Sequence, residues 1–329
     1  LMGLIEIIPK IPMLISRIRL TTNSIISENP DVLITIDSPD FCMRVAKKVR
    51  KALPNIKIIH YVAPSVWAWR PERAAKMSKY VDHVLALLPF EPPYMEAEGM
   101  TSDFVGHPVV SSPHVSKKAQ EKFKKKHNLH NGPIITVLPG SRIGEIKRMC
   151  PIFNKVLNNI EKLYPDSQFI LPVASSVEKD VINAVKSWNI KPLLLLNEGK
   201  DLKEIEHDKF ITYSISSAAL ATSGTVSLEL AAKKCPMIVA YKANWITTKM
   251  VKKLAKIDTA NLINIITDTK VIPEHLFENC TVENITESLR SLLNNDNNQI
   301  KAMEETMNRL GADRKDIHLL AANSVLNNI

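Results

Sequence analysis

The sequence predicts an α/β protein built from two doubly wound parallel-sheet domains in tandem. Three observations carry that expectation. Strand-like runs alternate with helical ones, the alternation pauses and restarts across a Pro- and Ser-bearing joint, and two β-rich runs each break at a Gly-Ser or Ser-Gly turn before entering a helix.

In the first half, the runs Asp31 to Asp37, Ile56 to Val62, His83 to Pro89 and Asp103 to His107 read as strands. Helical segments near 40–52, 71–80 and 91–99 separate them. The joint Val109 to Pro113 leads into a lysine-rich helix at 116–128, and strands follow at 134–138, 168–173, 192–196, 218–222 and 236–241. Helices near 244–256, 281–294, 298–310 and 314–327 complete the chain. The expected domains are therefore 1–112 and 113–329, with the terminal helices free to pack back on the first. The opening twenty residues are apolar but interrupted by Glu6, Lys10, Arg17 and Arg19, and Pro9 and Pro12 break any long helix. They read as a pair of short amphipathic helices on a sheet, with a bilayer-surface segment as the alternative.

Composition narrows the function classes. With 329 residues, 45% of them hydrophobic, the chain is long enough for two real cores. Cys42, Cys150, Cys235 and Cys280 are widely spaced without a C-x-x-C pair, which indicates neither a disulfide framework nor a zinc site and fits a reducing cytoplasm. The net charge of +9 suits anionic membrane or polyanionic small substrates. Nucleic acid is disfavoured, because the basic residues show no stacking motif, zinc finger or recognition helix. No apolar run reaches the roughly 18 residues of a membrane span.

Glycine is scarce, 9 in the whole chain against a usual share of about 7%, so its placement is informative. Gly106, Gly140, Gly144 and Gly224 all fall at strand ends, where φ > 0 or a close backbone approach is at issue. The turn Gly140-Ser141-Arg142 aims helix-start amides and a cation at an anion. The turn Ser223-Gly224-Thr225 offers amides and hydroxyls, with Glu229 one turn on to grip a ribose diol. Together they predict one nucleoside diphosphate, although neither a G-x-x-x-x-G-K-[ST] nor a G-x-G-x-x-G motif is present. At the end of the first strand, Asp37 is the general-base candidate and Asp40 the helix N-cap.

The motifs Ile36-Asp37-Ser38-Pro39-Asp40-Phe41, His60 to Arg70 (HYVAPSVWAWR), Leu88-Pro89-Phe90-Glu91, Phe104 to Pro108, Leu138 to Arg142 and Ser223 to Glu229, in that order and spacing, resemble the lipid-A-disaccharide synthase family over essentially the whole chain. The resemblance implies a GT-B glycosyltransferase of two Rossmann-like domains. It would join UDP-2,3-diacylglucosamine to 2,3-diacylglucosamine 1-phosphate with inversion and release UDP. It assigns Asp37 as base for the acceptor 6-hydroxyl, Arg142 as the cation on the leaving UDP and Asn264 as a further position associated with activity. Neither metal nor cofactor is expected, because cation and helix dipoles replace the metal and no D-x-D pair is present.

An acceptor carrying phosphate and acyl chains needs cations and an apolar wall, for which Trp67, Trp69, Arg70 and Arg73 are the candidates. A helix over 245–257, with Ile246, Met250, Leu254 and Ile257 on one face and Lys249, Lys252, Lys253 and Lys256 mostly elsewhere, is either a core helix or a contact with anionic lipid. The expected location is cytoplasmic, peripherally on the inner membrane. Oligomeric state is open, a homodimer included. The chain opens Leu1-Met2-Gly3-Leu4 at a point well inside the family's first domain, so that domain is expected to lack its first strand, loop and helix. Two alternatives stay open: a related UDP-sugar transferase or epimerase, and a non-catalytic nucleotide-binding remnant.

Overall fold

The computed structural model describes residues 11–243, 248, 258–294, 298–314 and 316–329. They form two compact units. Described residues of 11–110, Asp258 and described residues of 309–329 belong to unit 1, and those of 111–248 and 259–308 to unit 2.

Unit 1 begins with α1 (Ile11–Glu28), followed by β1 (Val32–Ile36), α2 (Pro39–Ala52), β2 (Lys57–Tyr61), α3 (Glu72–Met77), β3 (His83–Ala86), α4 (Pro92–Glu96) and β4 (Thr101–Phe104). The four strands are parallel in the order β1-β2-β3-β4. Of the expected pair of short helices at the start, residues 1–10 lie outside the described residues, and one helix of 18 residues begins at Ile11. Pro12 sits in its first turn, where a missing N–H removes no intrahelical bond, so it does not break the helix. β4 also lies earlier than expected. Gly106, at φ +84, turns the chain out of the strand direction just beyond it.

One face of this sheet packs Leu33, Ile58, Val84 and Ala86 against Ile18 of α1 and Val45, Ala46 and Val49 of α2. On the other face Ile59, Leu85 and Val105 form a smaller cluster with Ala321 and Val325 near the chain's end. β1 is an edge strand, and its Ile34 and Ile36 stand 43% and 62% exposed.

Unit 2 continues with α5 (Lys117–Lys126), β5 (Ile134–Leu138), α6 (Ile143–Leu163), β6 (Gln168–Pro172), α7 (Glu178–Lys186), β7 (Leu193–Leu195), α8 (Leu202–Ile215), β8 (Ala218–Ala221), α9 (Val226–Ala232), β9 (Met237–Tyr241), α10 (Leu262–Thr267), β10 (Glu274–Leu276), α11 (Val282–Asn294) and α12 (Asn298–Arg309). The last helix, α13 (Ile317–Leu326), belongs to unit 1. Unit 2's strands are all parallel, in the order β10-β9-β8-β5-β6-β7. Read from the other edge this is the doubly wound order 3-2-1-4-5-6. The order reverses between β5 and β8, and that reversal positions the site described below. Both strands are buried throughout, as a strand covered on both faces must be.

Gly106 gives a direct test of packing in unit 1. An added Cβ would lie 2.7 Å from the Ile317 side chain at a positive φ, so Gly106→Ala should lower stability by about 1–3 kcal/mol in urea unfolding. Gly224, which has open space around it and no positive φ, should accept alanine within roughly 0.5 kcal/mol.

Candidate active site

In unit 2 the two turns singled out from sequence become neighbours. β5 and β8 pair directly, Leu138 opposite Ala221, and the Thr222 amide donates to the Leu138 carbonyl at 3.0 Å. The chain leaves β5 into Gly140-Ser141-Arg142 and leaves β8 into Ser223-Gly224-Thr225. Both turns therefore open at the carboxyl ends of adjacent strands, at the point where the strand order reverses.

The first turn is shaped by a residue that the sequence analysis passed over. Glu145, buried at 6% exposure in the first turn of α6, accepts the Ser141 amide at Oε2 (2.9 Å) and Arg142 Nη1 at Oε1 (3.0 Å). Gly140, at φ +117, lies beneath it, and any Cβ there would collide with the Glu145 side chain. The glycine is thus required twice, by backbone conformation and by close approach. The signal for Glu145 was present in the sequence as a carboxylate three residues into the helix, the position from which a side chain reaches back to loop amides. Ser176 adds a second brace by donating its hydroxyl to the Ser141 carbonyl at 2.9 Å.

The Ser141 amide and one edge of Arg142 are therefore engaged internally. The Arg142 side chain is still 57% exposed, and a guanidinium has five N–H donors. The first-turn amides of Ile143 and Gly144 have no acceptor within the helix itself. Arg148 donates to the Lys242 carbonyl at 2.8 Å and bonds the Tyr241 hydroxyl, which brings a second guanidinium to this edge of the sheet.

At the second turn Ser223 bonds the Ala260 carbonyl at 3.4 Å, and Thr225 occupies the N-cap of α9 without a side-chain cap bond. Glu229 is held by Lys209 at 3.0 Å and by the buried Tyr213 hydroxyl, an arrangement that leaves carboxylate lone pairs over. Asn264 is 2% exposed and spends both amide atoms on the Ile272 backbone, donating to its carbonyl at 2.9 Å and accepting its amide at 3.0 Å. The helix expected over 245–257, a core helix or a lipid contact, with Ile246, Met250, Leu254, Ile257 and Lys249, Lys252, Lys253 and Lys256, lies outside the described residues.

In unit 1 the candidates also gather beyond strand ends. Asp37 and Ser38, directly after β1, hold φ of +50 and +43, and Val62 and Arg70, after β2, hold +82 and +52. Such conformations in non-glycine residues are strained, most of all in a β-branched valine, and cluster where a site dictates the backbone. The Asp37 carboxylate is exposed, and no described residue bonds it. Asp40 differs from expectation. Ser38 holds the N-cap position without a side-chain bond, and Asp40 instead takes Arg73 on both oxygens, at 3.1 and 3.2 Å. Arg73 is thereby tied to Asp40, while Trp69 lies under both Arg70 and Arg73, with 4.4 and 5.2 Å from guanidinium carbon to ring centre. Trp67 donates its indole N–H to Glu91 at 3.1 Å.

His60, on β2, is wholly buried and bonds Thr35 through Nδ1 at 2.8 Å, while its Nε2 has no partner. Burial lowers its pKa to about 4 against the opposing pull of Asp37. Among the described residues no group of three His, Cys, Asp or Glu is placed to hold a metal, and no helix is long and apolar enough to cross a membrane.

With this geometry in view, the comparisons with known proteins are specific. A family model described as lipid-A-disaccharide synthetase matches residues 1–326. The chain belongs to that family. Lipid-A-disaccharide synthase of Ruegeria pomeroyi is 44% identical across 100% of this chain and 82% of its own length, and that of Rickettsia prowazekii is 39% identical across 94% and 80%. Among solved structures, the UDP-GlcNAc 2-epimerase from Neisseria meningitidis bound to UDP-GlcNAc superposes with a TM-score of 0.64 at 13% identity, covering 96% of this chain and 81% of that one. A glycosyltransferase from Rickettsia africae gives 0.55 at 14% identity, covering 96% and 80%. These structural likenesses establish the GT-B type of fold, two parallel-sheet units, and the family membership is that of a glycosyltransferase enzyme of lipid A biosynthesis.

The buried histidine predicts an acid limb in stability. Its folded pKa lies below the unfolded value of 6.5, so the unfolded chain binds more protons between about 4 and 6.5. Stability rises with pH through that window and is lost as pH falls. His60→Gln should flatten that part of the profile by up to about 3 kcal/mol, as measured by urea unfolding at a series of pH values.

Proposed function

We propose that the chain joins UDP-2,3-diacylglucosamine to 2,3-diacylglucosamine 1-phosphate with inversion at the anomeric carbon and releases UDP. The observation that carries the proposal is the meeting of the Gly140 and Gly224 turns beyond β5 and β8, at the reversal of strand order. The names of the relatives support the substrate pair.

In this account unit 2 holds the donor. The outward N–H groups of Arg142 and the amides of Ile143 and Gly144 bind the diphosphate and stabilise the charge that grows as its bond to the sugar breaks. Ser223, Gly224 and Thr225 supply further donors, and the open space at Gly224 admits a phosphate close to the backbone. Glu229, steadied by Lys209 and Tyr213, accepts ribose hydroxyls.

Unit 1 supplies the base. The acceptor 6-hydroxyl attacks the anomeric carbon, its proton passes to Asp37, and UDP leaves with the electron pair of the broken bond. Asp37 is preferred to Asp40 because no described side chain hydrogen-bonds or ion-pairs its carboxylate, whereas Asp40 is committed to Arg73. Trp67, Trp69 and Arg70 form the acceptor wall, with Arg73 holding the wall from behind through Asp40 and Trp69. Asn264 acts by fixing the chain at Ile272 rather than by touching the reacting atoms. The protein works at the cytoplasmic face of the inner membrane, where its acylated substrates reside. The exposed Met13 and Leu20 of α1, beside Arg17 and Arg19, offer an apolar and basic contact with anionic lipid.

Incubation with both acylated sugars, followed by product analysis, tests the proposal. A disaccharide 1-phosphate and UDP are expected. A free epimerised sugar indicates an epimerase, and UDP binding without turnover a non-catalytic protein. Arg142→Ala should weaken UDP binding roughly ten- to hundredfold in calorimetry, the worth of a charge-assisted hydrogen bond, and lysine should restore only part of it. Asp37→Asn should lower turnover by roughly 10² to 10⁴ with UDP affinity nearly unchanged. An equal loss in Asp40→Asn would shift the base assignment to Asp40.

A further inference from the structure

Two motifs that stand apart in the sequence meet on one buried side chain in unit 1. Glu91, at the start of α4, is 3% exposed, and its carboxylate takes three N–H groups. The Trp67 indole donates to Oε1 at 3.1 Å, and the amides of Leu87 and Leu88 donate to Oε2 at 3.2 and 3.0 Å. Phe90 stands edge-on to Trp67, with ring centres 5.2 Å apart and planes at 88°. The loop after β2 is thereby fastened to the loop after β3 through a single carboxylate.

The chemistry of the three donors selects the residue. A glutamine in this place would turn its NH₂ group toward either the indole or the two amides, setting donor against donor. Only a carboxylate accepts on both sides. No Lys or Arg among the described residues pairs with it, so its burial is offset by these N–H bonds alone. A buried, unpaired carboxylate is a costly way to brace two loops unless the orientation of the indole matters.

We propose that Glu91 is a positioning residue for the acceptor: it fixes the Trp67 indole and, through it, the 62–70 loop that presents Trp69 and Arg70. The proposal rests on the acceptor role given to that loop above. Burial raises the Glu91 carboxyl to about 7 against the opposing effect of its N–H donors, and no charged side chain is among the groups acting on it. The link between the two loops should therefore change near neutral pH.

The test uses the full chain with Glu91→Gln, Trp67→Phe and the double variant. The readouts are affinity for detergent-solubilised diacylglucosamine 1-phosphate, affinity for UDP, and the Trp67 indole N–H resonance. Either single substitution should weaken acceptor binding roughly tenfold, the double should be no worse than the singles, and UDP affinity should stay within about twofold. The indole resonance of the unaltered protein should titrate near pH 7 and cease to do so in Glu91→Gln. Trp67→Phe keeps the test decisive even if Glu91→Gln fails to fold, because it leaves the carboxylate its two amide donors and removes only the indole bond. Acceptor affinity unchanged in Trp67→Phe overturns the proposal. So does weakened acceptor binding in Trp67→Phe with none in Glu91→Gln. A titrating indole with unchanged acceptor affinity in both variants overturns the proposal together with the acceptor role of the loop.

Discussion

The pairing of β5 with β8 is the constraint on which the rest of unit 2 depends. Because Leu138 lies opposite Ala221, two turns more than eighty positions apart in sequence end side by side. Side by side they offer helix-start amides, hydroxyls and a guanidinium along one strand edge, and in a parallel sheet that edge faces the crevice where ligands bind.

Within that frame the fine geometry belongs to Glu145. An internal carboxylate beside the proposed diphosphate site looks counterproductive, since like charges repel over a few ångströms. Its position makes sense of it. Glu145 is buried on the inner side of the turn, takes one edge of the Arg142 guanidinium, and leaves most of that side chain exposed. A long arginine loses rotamer freedom when it binds an anion, and one already held by its inner edge loses less. The cost is that Gly140 admits no side chain at all.

Much of this was legible from sequence. The alternation of strands and helices, the two turns and the motif order all survive in the structure, because period and turn chemistry are local properties. What failed locally failed for identifiable reasons. Pro12 marks the beginning of a helix, since in the first turn of α1 its missing N–H costs no intrahelical bond. As an N-cap Asp40 would start the helix at Phe41, but Ser38 at φ +43 holds the cap two residues earlier and leaves Asp40 for Arg73, 33 positions away. Glu91, His60 and Glu145 escaped because their partners come from other strands or from a reach-back into a loop, and burial with unpaired or converging donors has no one-dimensional signature. Asn264 reads as a polar loop residue or an active one, and its two bonds to the Ile272 backbone, eight positions on, are visible only in the fold.

The central claim is that the Gly140 turn, clamped by Glu145, is the diphosphate site, and Gly140→Ala bears on it most directly. A Cβ there must displace the Glu145 carboxylate and with it the held edge of Arg142, while the bulk of unit 2's core lies elsewhere. Calorimetric titration of the variant with UDP, alongside circular dichroism to confirm that it remains folded, should show binding weakened at least roughly tenfold in a folded protein. Unaltered UDP affinity in folded Gly140→Ala would contradict the account and remove the diphosphate from this turn.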